Sequence, residues 1–221
     1  MKKNIYTLFS VLFLLTAGLR INAMTTEEPK YIVIKEYDEF EIRKYSSFII
    51  AETEVISSHE EAGNKAFDIL FKFISGNNIK KEEIKMTAPV LQQEFDSKGE
   101  EIEMTAPVRQ VTGSEEEGKY LISFVMPLHY TMESVPVPND SRITIKEIPG
   151  RIMAVRKYSG TWSEKNFNEN KTRLLNALRD NKYKITGQTE YARYDPPFWP
   201  WFLRRNEVMV EVAVPEPAQS Y

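Results

Sequence analysis

Cysteine is absent from the 221 residues, and histidine occurs only twice, at His59 and His129. The first absence excludes a disulfide framework, a zinc ribbon, an iron–sulfur centre and a thiol nucleophile. It also excludes the lipid-anchored form of export-signal processing, which requires a cysteine at the new N-terminus. The scarcity of histidine excludes a three-histidine metal site within one chain. Glycine is sparse too, at nine residues, and no phosphate-binding glycine loop, dinucleotide fingerprint or G-x-S-x-G elbow occurs. What remains is an ordinary globular composition, 42% apolar and 28% charged.

The first 23 residues have the pattern of an export signal. Lys2 and Lys3 precede an apolar stretch from Ile5 to Leu19, and Ile21-Asn22-Ala23 supplies a small residue at the cleavage position. The apolar stretch is shorter than the roughly 20 residues of a spanning helix, so cleavage after Ala23 is expected. That places the protein outside the cytoplasm, periplasmic or secreted, with no stable membrane insertion after cleavage. Removing Lys2, Lys3 and Arg20 takes the basic count from 29 to 26 against 32 acidic residues, a mature charge of 26 − 32 = −6. A negative chain without a basic run is a poor nucleic-acid ligand. Residues 24–221 are expected to form one domain.

That domain reads as an internal repeat. At an offset of 103, Phe40-Glu41-Ile42 falls on Ile143-Thr144-Ile145, and Phe48–Ala51 falls on Arg151–Ala154. In each copy an alternating strand, a short turn and a second strand lead to a serine and an amphipathic helix, His59–Ser75 and Glu164–Asp180. Further strands are expected at Ile84–Phe95, Glu101–Val111 and Tyr120–Pro127 in the first copy, and at Thr186–Tyr194 and Glu207–Val214 in the second. Asp96-Ser97-Lys98-Gly99 is a hairpin turn signal between the first two. The predicted fold is α+β: two pseudo-symmetric ββαββ-type halves, about 31–127 and 141–214, forming a distorted antiparallel β-barrel with a helix on each half.

The helices differ. Taking about 100° per residue, Ala62, Ala66, Ile69, Leu70 and Phe73 form one core stripe, and Phe67, Phe71 and Ile74 form a second apolar edge. The second helix has a single stripe of Phe167, Leu174 and Leu178 with Leu175 beside it. The surplus edge needs cover, either from the aromatic segment Pro196–Phe202 or from a ligand in a cleft. The run Phe198-Trp199-Pro200-Trp201-Phe202 is too apolar to stay bare in a monomer, and reads first as a plug, then as a partner surface, then as a ligand wall. His59 reads as a surface residue in the first turn of its helix, and His129 as a loop residue. Glu207, after Arg204 and Arg205, reads as a structural ion pair with one of them or as a general base.

Several motifs resemble the SOUL haem-binding family. Ile84-Lys85-Met86-Thr87-Ala88-Pro89-Val90 and its echo Met104-Thr105-Ala106-Pro107-Val108 look like that family's paired MTAPV segments. Phe124–Pro127, Tyr158-Ser159-Gly160, Tyr194–Pro197 and Arg204–Val208 follow in the family's order. The resemblance implies a distorted barrel that binds haem or other tetrapyrroles non-covalently, with the haem-contacting helix face registering on Phe67, Phe71 and Lys72. The apolar edge adds Ile74. It also implies departures: Asn64 and Ser163 stand where cationic contacts occur, and Lys44 where a histidine is a suggested axial ligand. Each lost charge-assisted contact is worth about 1.5–3 kcal/mol. The expected function is an exported protein binding haem, or a similar flat hydrophobic molecule, mainly by apolar contact beside the first helix. Two alternatives stand beside it: an enzyme using Glu207 as acid or base, and an interaction module using Pro196–Phe202.

Overall fold

The computed structural model describes residues 26–81, 99–114 and 118–213. The export segment, the strand expected at Ile84–Phe95 with the first MTAPV motif, and most of the Asp96–Gly99 turn lie outside the described residues. In chain order the strands are β1 (Tyr31–Glu36), β2 (Glu41–Tyr45), β3 (Phe48–Ile56), β4 (Asn78–Ile79), β5 (Val108–Ser114), β6 (Lys119–Val125), β7 (Val137–Pro138), β8 (Ile143–Ile148), β9 (Arg151–Tyr158), β10 (Lys184–Arg193) and β11 (Asn206–Ala213). Helix α1 (His59–Ile74) follows β3, and α2 (Glu164–Asp180) follows β9.

Both helices begin where a serine can cap them. The Ser58 and Ser163 hydroxyls accept hydrogen bonds from the amides of Glu61 and Asn166, each three residues on. An acidic residue occupies the first turn of each helix and a basic one the last, as the helix dipole favours. Ala62, Ala66, Leu70 and Phe73 of α1 are buried on β3 and β6, and Phe167, Leu174 and Leu178 of α2 on β9, β10 and β11.

Nine strands form one antiparallel sheet in the order β1-β2-β9-β11-β10-β5-β6-β3-β8. Among the described residues the sheet does not close into the expected barrel. Closure requires the end strands to pair, whereas β1 pairs only with β2 and β8 only with β3, leaving an open sheet among the described residues. The order has a particular regularity. Strands β3, β6 and β5 lie on one side of the centre and β9, β11 and β10 on the other, and each trio carries on its outer edge the opening strand of the other: β8 on β3, β2 on β9. The expected strand Glu101–Val111 is also shorter than its sequence suggests. Residues 102–107 are irregular, with the Ala106 amide donating to the Glu27 carbonyl at 2.9 Å, and the ladder begins at Val108.

The helices share one face of the sheet. Gln110 and Tyr191 sit opposite each other on β5 and β10, and both meet His59 of α1, which in turn stacks on Phe167 of α2. Alternate residues therefore point to the helix-free face, where Tyr45, Met153, Val155, Ala192 and Met209 form a separate apolar cluster. A strap of residues 26–30 crosses that face, with Pro29 buried and Glu28 paired to Arg205.

Candidate functional site

The surplus apolar edge of α1 is present as an aromatic pair. Phe67 and Phe71, one turn apart, stack with ring centroids 5.5 Å apart and planes 13° from parallel. Phe67 is partly buried and set edge-on against Phe124 of β6 at 5.5 Å, while Phe71 is 45% exposed. Lys72 and Asn64, on the same helix, are exposed. Ile74 does not belong to this edge. It is buried at 6% exposure because Ile102 closes over the helix end, its amide donating to the Ile74 carbonyl at 2.7 Å.

The other residues singled out from sequence are elsewhere. Lys44 is exposed on β2, and β9, β11, β10 and β5 stand between that strand and β6 under α1. Ser163 is spent on capping α2. The aromatic segment does not cover Phe67 and Phe71. It leans on the approach to α2, where the Gly160 amide donates to the Trp201 carbonyl at 3.1 Å and Arg204 lies 4.4 Å from the Trp162 ring centre. The plug reading fails because Phe198 is 83% exposed and Trp201 57%.

His59 overturns the surface reading. It is buried in an aromatic cluster, stacked on Phe167 at 5.3 Å and on Tyr191 at 5.8 Å, two rings that also touch each other at 5.2 Å, with Tyr120 edge-on at 5.7 Å. Its Nδ1 lies 3.2 Å from the Gln110 amide nitrogen. Burial and the nearby Arg193 guanidinium lower its pKa, so the neutral ring is favoured. The reason lies far away in the chain: α2 starts against the start of α1, and the Glu164 amide donates to Glu60 at 3.1 Å. His129 is exposed in a loop against Tyr130, as expected.

Glu207 is fully buried on the helix-free face and serves the fold. Its carboxylate accepts from both terminal nitrogens of Arg43 at 3.0 and 3.1 Å, from Tyr194 at 2.7 Å, and from Arg205 Nε and Nη2 at 3.1 and 2.9 Å. Arg205 is one of the two partners expected from sequence, and Arg43 is the one that sequence reasoning missed. Burial alone would lower the Arg43 pKa, but Glu207 outweighs it and holds the guanidinium firmly charged. Beside this network, Arg109 and Arg151 clamp the buried Glu190, and together they outweigh the burial that would raise its pKa. With its oxygens engaged this way, Glu207 has no solvent-facing edge for a general base.

Tested against haem, the α1 edge offers two stacked rings for a macrocycle face and Lys72 for an anionic substituent. Among the described residues no group of three or more potential metal ligands occurs, and no histidine lies on this edge. The aromatic pair and Lys72 fit contact with the face and an anionic edge of a macrocycle.

Comparison with known proteins agrees with the motifs. The profile of the family described as SOUL heme-binding protein matches residues 26–97 and 92–211, so the chain belongs to that family. Heme-binding protein 1 of Mus musculus is 28% identical over 150 residues, covering 67% of this chain and 70% of its own. Heme-binding protein 1 of Xenopus laevis is 26% identical over 173 residues, covering 76% and 81%. Among solved structures, the EcmrR C-terminal domain superposes with a TM-score of 0.57 at 11% identity, over 79% of this chain and 97% of that one, a likeness of fold alone. Membership in the family supports haem as a non-covalently bound cofactor.

Proposed function

We propose that the protein binds haem, or a similar flat hydrophobic tetrapyrrole, by apolar contact with the Phe67–Phe71 edge of α1. The observation that carries this reading is the stacked pair itself, half exposed on a helix whose core stripe is already satisfied, in a chain of the SOUL family. An exposed phenyl ring retains surface that a ligand removes from water, and a stacked pair presents a broad flat contact. Lys72 pairs with a propionate. The absent cations at Asn64 and Ser163 and the absent histidine at Lys44 make the complex weak, because association entropy must be offset by contact alone. Binding in the micromolar range is expected. Haemin titration of the chain from Met24 onward, followed by the Soret band, tests this: Phe67→Ala with Phe71→Ala abolishes the shift if the reading is right, and an unchanged shift refutes it.

The same proposal includes export with cleavage after Ala23. The charged start, apolar stretch and Ala23 support it, and the family match begins beyond them, at residue 26. Intact-mass analysis of protein from its native host tests it, and a cytoplasmic chain starting at Met1 would refute it. The Glu207 acid–base reading is not retained, since its oxygens are engaged by two arginines and a tyrosine.

A further inference from the structure

Arginines buried in this sheet are paired with carboxylates, with one exception. Arg43 has Glu207 and Arg109 has Glu190. Arg193, at the end of β10, is 7% exposed, yet no carboxylate of the described residues forms an ion pair with it. Its one hydrogen bond to a described residue runs from Nη2 to the neutral Gln110 side chain at 2.8 Å. The rings of Tyr191 and Trp162 flank it, 4.9 and 5.0 Å from the guanidinium carbon. Burial pulls its pKa down, and the opposing influence of Tyr191, Tyr158 and Glu60 does not make good the loss. A buried charge held this way has been taken out of water without a counter-charge in return. The polar atoms around it are unmatched as well. Six buried side-chain nitrogens and oxygens among the described residues lack a hydrogen bond, and four of them are here: Arg193 Nε, His59 Nε2 and the hydroxyls of Tyr158 and Tyr191. Buried groups left unmatched are uncommon in folded proteins and call for a specific explanation.

Gly63 connects this cluster to the aromatic edge of α1. A Cβ built on Gly63 would collide with Arg193 Nη1, so the guanidinium occupies the place where residue 63 would carry its side chain. Gly63, Phe67 and Phe71 follow one another at intervals of four residues and therefore lie along one face of the helix. From its start the face reads guanidinium, phenyl, phenyl, over about 12 Å of helix axis. A flat ligand stacked on the two rings has a cation at one end of its track.

We infer that Arg193 is the anion-binding end of the Phe67–Phe71 edge, where the guanidinium pairs across Gly63 with a carboxylate substituent of the stacked ligand. The inference rests on the tetrapyrrole reading above and adds what selects and orients that ligand. The cation that Asn64 and Ser163 cannot supply comes instead from β10. A guanidinium already removed from water and held between rings loses little further hydration or freedom when a carboxylate arrives. It also offers the planar fork that carboxylates match best. Apolar contact still supplies most of the affinity, and Arg193 decides between acid and neutral forms of the same ring.

Haemin and its dimethyl ester share the macrocycle and differ in the carboxylates, so titrating both into the unaltered protein, followed by the Soret band, isolates the charge. The acid should bind more tightly than the ester by at least about tenfold. Arg193→Gln should erase most of that preference while leaving ester affinity within about twofold. Arg193→Lys, which keeps a cation there, should retain part of the preference, and Lys72→Ala should reduce it only a few-fold. The unaltered protein's acid-to-ester ratio does not depend on any variant folding. Equal binding of acid and ester by the unaltered protein overturns the inference but leaves the aromatic edge as the site. A preference that survives in Arg193→Gln, or is lost equally in the Gln and Lys variants, overturns it too, the latter marking a structural role. If neither ligand binds, the tetrapyrrole reading itself falls and takes this inference with it.

Discussion

Arg43 and Glu207 lie on strands that do not pair, yet their side chains join through hydrogen bonds of 3.0 and 3.1 Å, with β9 standing between β2 and β11. Both are fully buried, so neither charge can fall back on water. Removing one partner leaves the other uncompensated. Glu207→Leu should therefore destabilise the fold by about 3–5 kcal/mol. Arg43→Met combined with Glu207→Leu should cost clearly less than the two single changes added together. Urea denaturation of the three variants checks this, and a Glu207→Leu cost below about 1 kcal/mol would show that the pair is not what holds the opening strand to the second trio.

His59 makes stability depend on pH. Its folded pKa lies below the ordinary value of 6.5, through burial first and Arg193 second, with Glu164 and Glu60 opposing. As pH falls through 6.5 the unfolded chain takes up the proton before the folded one does. The neutral ring's contribution is therefore intact above that value and lost below it. Melting temperatures measured from pH 8 to pH 5 should fall more steeply for the unaltered protein than for His59→Phe, which keeps the stacking and removes the titration. Parallel curves would contradict the assignment.

Gly63 should not tolerate a methyl group. Alanine in a helix is ordinarily better than glycine by about 1 kcal/mol. Here a Cβ would run into the Arg193 guanidinium, which is buried, bonded to Gln110 at 2.8 Å and set against the Trp162 and Tyr191 rings. Gly63→Ala should thus destabilise by about 1–3 kcal/mol, the range of an overpacked core. A gain in stability would mean that Arg193 moves aside freely.

Haem binding should separate the aromatic edge from the histidines. His129→Ala should leave the Soret shift unchanged, Lys72→Ala should weaken affinity a few-fold, and Phe67→Ala with Phe71→Ala should weaken it by more than about tenfold. Equilibrium titration of the three variants gives the ranking. Loss of the shift in His129→Ala would make that residue an axial ligand and overturn a complex held by contact.

What could be read from the sequence followed the range of the interactions concerned. The start of α1 at His59 and both ends of α2 were legible because serine caps and an apolar stripe are written within a few adjacent residues. The Phe67 and Phe71 edge was legible for the same reason. His59 was not, since the rings that bury it come from Phe167 and Tyr191, more than a hundred residues on. Nor was the Arg43 partner of Glu207, because the register that brings β2 alongside β9 and β11 is set by long-range pairing that no local pattern records. Ile74 was misplaced by helical angle alone, which is blind to the cover that Ile102 provides.

The exchange of opening strands sets what a half of this molecule could be. Expressed alone, the first half would keep β2 with no β9 to receive it and would leave the outer edge of β3 bare, where β8 now lies. A bare edge of that kind recruits another strand. Two copies of one half, turned about the centre between β5 and β10, would lend each other the missing strand and rebuild the same central order. The present chain is in that sense a strand-swapped dimer tied into one polypeptide by the segment between β6 and β8, and cutting that tie should yield two fragments that reassociate instead of two independent folds.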